Sequence, residues 1–387
     1  MGLSSAASST AGSWREAEGF PGLLEGFRQG LERDLEAWLA AKRDEAADQG
    51  SDGMLELIDG VAQLVTRGGK RLRPALVYYT YRACGGRSDG EVLPLALATE
   101  LLHTYLLIHD DIMDHADVRR GQPAAHVRFR EAHRQRRLRG DSEDFGRSVA
   151  ILLGDLAHTW AVELATLVPL DGGRSPQIAR EISRCFSAMS QEVIGGQYLE
   201  ILLAQRRPDP GAEPAPEQAE ELMRILRLKS GRYTAERPIQ LGGLLAGAAP
   251  DVLAALSDYG TAMGEAFQLQ DDLLGMFGDA GTVGKPVGAD LKEGKFTFLI
   301  YHALAAASPA ERRLLEASLG DPGLDARAVD DARRVIEETG ARETVDAMVS
   351  KRLAAARAAL GRIAPGLEPR GRLFLEGLID YLRERKQ

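Results

Sequence analysis

The chain has 387 residues, of which 44% are hydrophobic, and it carries a formal charge of −9 at pH 7. This acidic balance argues against a general nucleic-acid binder, which needs a basic face to displace counterions from phosphates. Cys84 and Cys185 are the only cysteines, so neither a disulfide framework nor a zinc site is expected, and the cytoplasm is the predicted location.

The first 21 residues are predicted to be a disordered tail, because MGLSSAASSTAGS lacks the basic and apolar regions of a secretory signal. From residue 22 onward, apolar residues recur every three or four positions and strand-favouring runs are scarce. We therefore predict an all-α fold that forms one globular unit over 22–387. No apolar run reaches the ~18 residues of a membrane span, so none is predicted.

The first basic motif is GGKRLRP, residues 68–74. Its glycines let the backbone approach an anion closely, and Pro74 can begin a helix whose N-terminal amides favour negative charge. Arg119 and Arg120 form a second basic pair in DVRRG, and arginine binds phosphate oxygens in pairs. Each motif alone is equally consistent with a solvated charged face; together they favour an anion site.

The first acidic cluster is Asp110, Asp111 and Asp114. On a helix these positions fall within about 100° of one another, so the three carboxylates share a face. A solvated acidic helix end is the simplest alternative. Apolar residues at helical spacing precede the cluster, however, and place the acids at the rim of an apolar groove. Carboxylates at such a rim suit Mg²⁺, which binds one or two of them together with substrate phosphate.

Two later stretches are predicted to be surface loops between helices, not domain boundaries. Residues 131–147 are almost wholly charged, and residues 206–217 are rich in proline.

A second acidic pair, Asp271 and Asp272, lies in FQLQDDLLGMFGD, and Gln268 sits one turn before Asp271. The pair alone is weak evidence. Two such clusters with separate basic motifs indicate a ligand with an apolar tail and a diphosphate head.

The ordered set of motifs resembles the trans-type polyprenyl diphosphate synthases, the family of farnesyl and geranylgeranyl diphosphate synthases, and is most like a bacterial geranylgeranyl diphosphate synthase. The similarity runs from about Leu23 to the C-terminus. It rests on GGKRLRP, ELLHTYLLIHDDIMD, DVRRGQP, ILLGD, GGQYLE, KSGRYT, FQLQDDLLGMFGD and GKPVGADLKEGK. The resemblance implies the isoprenoid synthase fold, an antiparallel helix bundle around a central cavity, as a homodimer.

The resemblance also implies a role for each residue that matches a motif. Asp110, Asp111, Asp114, Asp271 and Asp272 would hold about three Mg²⁺ ions that grip the allylic diphosphate. Direct contacts to that diphosphate would come from Arg119, Lys229, Lys285 and Lys295. Isopentenyl diphosphate would be bound by Gly69, Lys70, Arg73, His103 and Arg120, with Tyr233 close by, and Gln197 would also contact substrate. Ser230, Gln268 and the Lys229 carbonyl would face the developing cation.

The implied reaction needs no side-chain nucleophile. Metal ions neutralise charge as diphosphate leaves the allylic carbon, the double bond of isopentenyl diphosphate attacks the cation, and a proton is lost. Two departures bear on this expectation: Gly275 stands where many members have a third aspartate, and Glu200 replaces the usual aspartate. Metal affinity at the second cluster is therefore open.

Product length in this family depends on bulk four or five positions before the first aspartate. Those positions are Leu106 and Tyr105, with Leu102 about a turn deeper. One aromatic side chain favours a linear all-trans C20 product, geranylgeranyl diphosphate, with C15 and C25 as neighbours; the preferred allylic starter and the downstream pathway stay open.

Two other functions fit parts of the sequence. A class I terpene cyclase also ionises a prenyl diphosphate with an aspartate-rich helix, but it does not need a second diphosphate site. A non-catalytic subunit of a heteromeric prenyl synthase would be expected to have lost aspartates that this chain retains.

Overall fold

The computed structural model describes residues 19–171, 174–206, 211, 213–278 and 287–384. The described chain is almost wholly helical, with one short hairpin, so the all-α prediction is confirmed. It divides into two compact units, each assembled from segments that are distant in sequence. The single globular unit over 22–387 stays a prediction. Lys285 lies outside the described residues.

Unit 1 takes its described residues from the chain up to Phe186, from Pro238–Ala248 and from Leu367–Leu375. Its elements are α1 (Gly19–Asp48), α2 (Asp52–Val65), α3 (Leu72–Ala83), α4 (Asp89–Met113), β1 (Val118–Arg119), β2 (Gln122–Pro123), α5 (Ala125–Gln135), α6 (Ser142–Asp171), the start of α7 (Pro176–Gln205) and, later in the chain, α9 (Arg237–Ala246).

Unit 2 comprises Ser187–Arg237, Ala249–Gly366 and the described residues from Glu376 onward. Its elements are the rest of α7, α8 (Pro216–Ile225), a π-helical segment (Leu226–Glu236), α10 (Pro250–Phe277), α11 (Ala289–Lys292), α12 (Phe298–Ala306), α13 (Pro309–Ser318), α14 (Ala326–Glu338), α15 (Ala341–Gly361), a 3₁₀ turn (Ala364–Gly366) and the end of α16 (Pro369–Glu384).

The first helix begins at Gly19, three residues before residue 22, where the folded unit was predicted to begin. Phe20 is 5% exposed, and its ring lies 4.9 Å from that of Phe374, centroid to centroid. Burial of this aromatic side chain extends the helix toward the N-terminus. Residues 19–21 therefore belong to the fold and not to the tail.

The charged stretch 131–147 is mostly helical and not the predicted loop. α5 continues to Gln135 and α6 begins at Ser142, which leaves only 136–141 between them. Ion pairs cross this connection and run along the helix: Arg130 Nη1 lies 3.2 Å from Glu143 Oε1, and Arg134 Nη1 lies 2.9 Å from Glu131 Oε1. Opposite charges at helical spacing support helix where a loop was expected.

Two helices are long and apolar enough by composition to cross a membrane, α4 and the Ser142–Thr166 part of α6. In α4, 67% of the apolar window is buried inside the protein, against 44% in α6. Leu101 and Leu102 of α4, for example, have no exposed surface. α4 therefore serves as a core helix of unit 1, and the absence of a membrane span stays a prediction.

Candidate active site

The first aspartate cluster lies at the C-terminal end of α4. Asp110 and Asp111 occupy the last turn, and Asp114 is the C-cap residue, whose backbone N–H donates to the Asp110 carbonyl at 2.8 Å. The negative end of the helix dipole lies here, so carboxylates at this position need a cation for compensation. The Asp111 side chain is 6% exposed and that of Asp110 is 20% exposed.

Arg119 supplies one such cation. Its Nε donates to Asp111 Oδ1 at 2.8 Å, and its Nη2 lies 3.1 Å from Asp110 Oδ2. Arg119 is paired with Gln122 in the β1–β2 hairpin, so Arg120 and Gly121 alone form the turn, and both have positive φ. That is the pattern of a type I′ turn, which fixes the direction of the Arg119 side chain.

Arg120 joins the hairpin to the GGKRLRP motif. Its Nη1 donates a hydrogen bond to the Gly68 carbonyl. Its guanidinium group lies over Gly69, where an added Cβ would be 3.0 Å from Nη2 and where φ is +142°. A side chain at position 69 is disfavoured both by this contact and by the backbone conformation. The glycine thus allows the arginine to approach the backbone.

Arg71 is buried in the same region and does not face solvent. It is 3% exposed, it has positive φ, and its Nη1 lies 2.5 Å from Glu100 Oε1 on α4 while Nη2 donates to the Val65 carbonyl at 2.6 Å. A buried ion pair with further hydrogen bonds fixes the geometry of its surroundings. The start of α3 is thereby attached to α4 at Glu100, about three helical turns before the aspartates.

These residues surround a pocket within unit 1. Three basic side chains that the resemblance selects, His103, Arg119 and Arg120, line it, and Arg67 and Arg71 add positive charge. The full lining is Leu64, Val65, Arg67, Arg71, Glu100, His103, Thr104, Leu107, Ile108, Asp111, Arg119 and Arg120. A pocket with this excess of guanidinium groups suits a diphosphate.

The pKa of His103 is lowered well below its ordinary value. Burial contributes most, followed by repulsion from four arginines: Arg73, Arg120, Arg119 and Arg71. The imidazole is therefore neutral at physiological pH and can accept or donate one hydrogen bond. Lys70 is exposed and Arg73 partly buried, and neither is among the residues that line the pocket.

The predicted chain-length residues lie on α4 before the aspartates. Leu102 is fully buried, whereas Tyr105 and Leu106 are partly buried. The Tyr105 ring contacts two imidazoles, those of His109 and His158, each at 4.8 Å between centroids. Tyr105 therefore belongs to an aromatic cluster between α4 and α6.

The second acidic pair lies near the end of α10 in unit 2. Gln268 Nε2 donates to Asp272 Oδ1 at 2.8 Å, one helical turn away. The pKa of Asp272 is raised well above its ordinary range, first by burial and then by repulsion from Asp290, with smaller contributions from Asp271 and Glu200. Negative charge thus accumulates around Asp272, as at a site built for a cation.

Asp290 was not among the residues selected from the sequence. It lies in the short helix α11, and its Oδ2 lies 2.9 Å from the point where a Cβ at Gly275 would be. Its carboxylate therefore occupies the space directly beside the position where many relatives carry a third aspartate. Proximity of an acid fifteen residues downstream could not be predicted from helical spacing.

Lys229 lies in the π-helical segment and forms an ion pair with Glu200 of α7. The segment and α7 meet closely at Gly196, where an added Cβ would be 2.3 Å from the Lys229 backbone nitrogen. Ser230 and Tyr233 belong to the same segment and are partly buried. π-helical turns are often found at functional sites, and here the turn carries three predicted site residues.

Gln197 and Lys295 are the remaining predicted residues that the structure describes. Gln197 Nε2 is buried and has no hydrogen-bond partner within the described chain, so it remains available to a bound molecule. Lys295 Nζ lies 2.5 Å from Glu293 Oε2 and 3.6 Å from Asp290 Oδ1. Among the described residues, no three His, Cys, Asp or Glu side chains converge closely enough to hold a metal ion by themselves.

Comparison with known proteins supports the interpretation. The polyprenyl synthetase family model matches residues 56–338. A short chain isoprenyl diphosphate synthase of Methanothermobacter thermautotrophicus is 32% identical over 330 residues, which cover 85% of this chain and 90% of that protein. A geranylgeranyl diphosphate synthase of Mycobacterium tuberculosis is 33% identical over 76% of this chain and 75% of its own length.

A solved structure is similar as well. Geranylgeranyl pyrophosphate synthase from Corynebacterium glutamicum, complexed with isoprenyl diphosphate and magnesium, gives a TM-score of 0.84 at 33% identity, over 94% of this chain and 99% of that one.

Proposed function

This chain belongs to the polyprenyl synthetase family and is a trans-prenyltransferase with a product of C20 or near it, and we propose that it makes geranylgeranyl diphosphate. Its substrates are isopentenyl diphosphate and an allylic diphosphate, as in the family. The terpene cyclase and the non-catalytic subunit are not favoured. The single observation that supports C20 is Tyr105, the one aromatic ring at the two positions four and five residues before Asp110, which contacts two imidazoles.

The donor chemistry fits Mg²⁺. Asp110 and Asp111 in unit 1, and Asp271 and Asp272 in unit 2, offer carboxylate oxygens, the hard ligands that Mg²⁺ prefers; a bound ion would take its remaining ligands from water and substrate phosphate. A closed set of three protein ligands is therefore not required. Burial and, after it, repulsion from Asp290 raise the pKa of Asp272, and a bound cation would relieve both. When bound, Mg²⁺ acts as a Lewis acid that neutralises the leaving diphosphate; we infer about three ions per site.

The chain's own residues bind and orient the substrates. His103 and Arg120 line a pocket in unit 1 whose charge suits the diphosphate of isopentenyl diphosphate. The resemblance gives Gly69, Lys70 and Arg73 to the same diphosphate, and it gives Arg119, which lines this pocket too, to the allylic diphosphate. Arg119 also contacts the aspartates and so positions them for the metal.

The resemblance implies that Lys229, Lys285 and Lys295 contact the allylic diphosphate. Two of these lysines are held by ion pairs, Lys229 by Glu200 and Lys295 by Glu293. Gln197, Ser230, Tyr233 and Gln268 offer polar groups without a charge, which suits a site that stabilises a cation without reacting with it. Water must be excluded from a site that holds such a cation.

A homodimer in the cytoplasm is part of the same proposal. Ile151 and Leu152 of α6 are 44% and 53% exposed, and adjacent exposed apolar side chains are typical of an interface. Light scattering is expected to give twice the 41.9 kDa mass of the chain, and a monomeric mass at micromolar concentration would contradict the dimer.

Substitution of the aspartates tests the proposed function. Asp111→Asn and Asp272→Asn each keep the side-chain shape but remove a charge that holds metal, so kcat is expected to fall by about 100-fold or more. Asp330→Asn is the control, because that carboxylate is exposed and its ion pair is with Arg333 on the same helix. Chelation of Mg²⁺ is expected to abolish turnover, and its return to restore it; metal-independent turnover would overturn the proposal.

A further inference from the structure

We propose that Glu265 of α10 is a positioning residue that holds the π-helical segment in place through Arg227. That segment carries Lys229 and Ser230, and the inference rests on the proposed function, which gives both residues to the allylic substrate. Glu265 was not among the residues selected from the sequence.

Glu265 is a buried carboxylate with two cationic partners on different elements. It is 2% exposed. Arg227 of the π-helical segment donates from Nε to Glu265 Oε1 at 2.5 Å, and Nε of Arg352 on α15 lies 2.6 Å from Oε2. Removal of a partner from a buried charge is costly, so the carboxylate fixes the place of both arginines.

The π-helical segment depends on contacts with its surroundings. π-Helices are rare and mostly form single turns inside α-helices, whereas this one has 11 residues. It continues directly from α8 and leads directly into α9, so an α-helix could run through the whole stretch. Contacts with other elements must therefore offset the preference for α-helix.

Glycines let the segment lie directly against two neighbouring helices. A Cβ at Gly264, next to Glu265 on α10, would lie 2.2 Å from the Gly231 carbonyl oxygen and 2.6 Å from the carbonyl carbon. On α7, Gly196 makes the same kind of backbone approach to Lys229. Such contacts set how close the segment lies to its neighbours, but dispersion has no direction that would fix its rotation.

The ion pair with Glu265 supplies that direction. Residues two positions apart on a helix point away from each other, and Arg227 and Lys229 accordingly have partners on different helices. Arg227 pairs with α10 through Glu265, and Lys229 pairs with α7 through Glu200. Loss of the Glu265 pair frees the segment to rotate or to return to α-helical hydrogen bonding, and either change moves Lys229.

Two arginine variants separate this role from plain stabilisation. Arg227→Gln and Arg352→Gln each remove one guanidinium group from the same carboxylate, but only Arg227 lies on the segment with the site residues. Steady-state kinetics of the full-length protein with Mg²⁺, geranyl diphosphate and isopentenyl diphosphate are the measurement. We expect KM for geranyl diphosphate to rise about tenfold for Arg227→Gln and less than about twofold for Arg352→Gln.

The second substrate provides an internal control. KM for isopentenyl diphosphate is expected to change less than about twofold in both variants, because its diphosphate is proposed to bind in the pocket of unit 1. Melting temperatures show whether each variant is folded. A fall in melting temperature without a change in KM is the result expected for Arg352→Gln.

Glu265→Gln tests whether Arg227 acts through the carboxylate. It is expected to raise KM for geranyl diphosphate as Arg227→Gln does, and the double variant is expected to be no worse than either single one. Hydrogen exchange of the backbone amides of 226–236 is expected to be faster in Glu265→Gln and Arg227→Gln than in Arg352→Gln.

Equal rises in KM for Arg227→Gln and Arg352→Gln would overturn the inference and leave the proposed function intact. An unchanged KM in Glu265→Gln, or additive effects in the double variant, would do the same. A parent protein that does not join the two substrates would overturn the proposed function and, with it, this inference.

Discussion

At the scale of single residues, the ring of Tyr105 is held by groups on α6. His109, which contacts the ring, has its Nε2 3.2 Å from the Ile151 carbonyl oxygen, and its imidazole lies where a Cβ at Gly154 would be. His158 contacts the ring as well. Because its neighbours are fixed, Tyr105 has little freedom to turn aside for a growing prenyl chain.

Tyr105→Ala is expected to move the main product from C20 to C25 or longer, because it removes the ring and leaves its neighbours in place. Tyr105→Phe is the control and is expected to keep C20, since the ring and not the hydroxyl provides the bulk. Chain lengths are measured by mass spectrometry after phosphatase treatment. An unchanged product from Tyr105→Ala would show that the chain is stopped elsewhere.

His103 predicts a dependence of stability on pH. Its folded-state pKa lies well below 6.5. As the pH falls below about 6.5, His103 therefore binds a proton in the unfolded chain but not in the folded protein. The contribution of His103 to the free energy of unfolding is therefore fully present above that pH. Below it, the contribution decreases by no more than about 1.4 kcal/mol per pH unit.

His103→Gln is therefore expected to lose less stability than the parent protein between pH 7.5 and pH 5.5. The free energy of unfolding from urea titrations at the two pH values is the measurement. Identical losses in both proteins would mean that His103 is protonated in the folded state.

At the scale of elements, two neighbouring glycines of α7 are expected to behave oppositely. A Cβ at Gly196 would lie 2.3 Å from the backbone nitrogen of Lys229, whereas no atom would lie within 4 Å of a Cβ at Gly195. Gly196→Ala must push the π-helical segment away and is expected to cost about 1–3 kcal/mol. Gly195→Ala is expected to stabilise by about 0.5–1 kcal/mol, because alanine favours helix.

Chemical denaturation of both alanine variants measures the difference. Because Gly196 contacts Lys229, Gly196→Ala is also expected to raise KM for the allylic substrate. Equal stabilities for the two variants would mean that the segment adapts to the added methyl group.

The same elements show what the sequence could predict. The apolar spacing before Asp110 predicted a helix that carries the acids, and α4 contains Asp110 and Asp111 and ends at Met113, one residue before Asp114. The π-helical segment was not predicted, because its sequence has ordinary helical residues and its geometry depends on packing. Gly264 illustrates this, since a Cβ there would lie 2.2 Å from the Gly231 carbonyl oxygen.

Ion pairs between distant segments were equally hidden. Two ion pairs join residues about thirty positions apart: Lys229 pairs with Glu200, and Arg71 pairs with Glu100. Helical periodicity shows which residues share a face, but not which faces meet. The charged stretch 131–147 was assigned to a loop partly for the same reason, since the Arg130–Glu143 pair forms only when α5 and α6 are adjacent.

At the scale of the whole molecule, an acidic protein binds two anionic substrates. The formal charge of −9 opposes any diphosphate at long range, so binding must depend on local groups. Unit 1 supplies them as arginines around a pocket. Unit 2 holds carboxylates near Asp272, whose pKa is raised by burial and by their repulsion, an arrangement that suits the proposed metal.

The most direct test is product analysis of the purified protein with Mg²⁺, isopentenyl diphosphate and, in turn, dimethylallyl, geranyl or farnesyl diphosphate. We expect a linear C20 diphosphate that disappears when Mg²⁺ is chelated. A cyclic hydrocarbon from a single prenyl diphosphate, or no turnover until a second protein is added, would contradict the assignment of this chain as a geranylgeranyl diphosphate synthase.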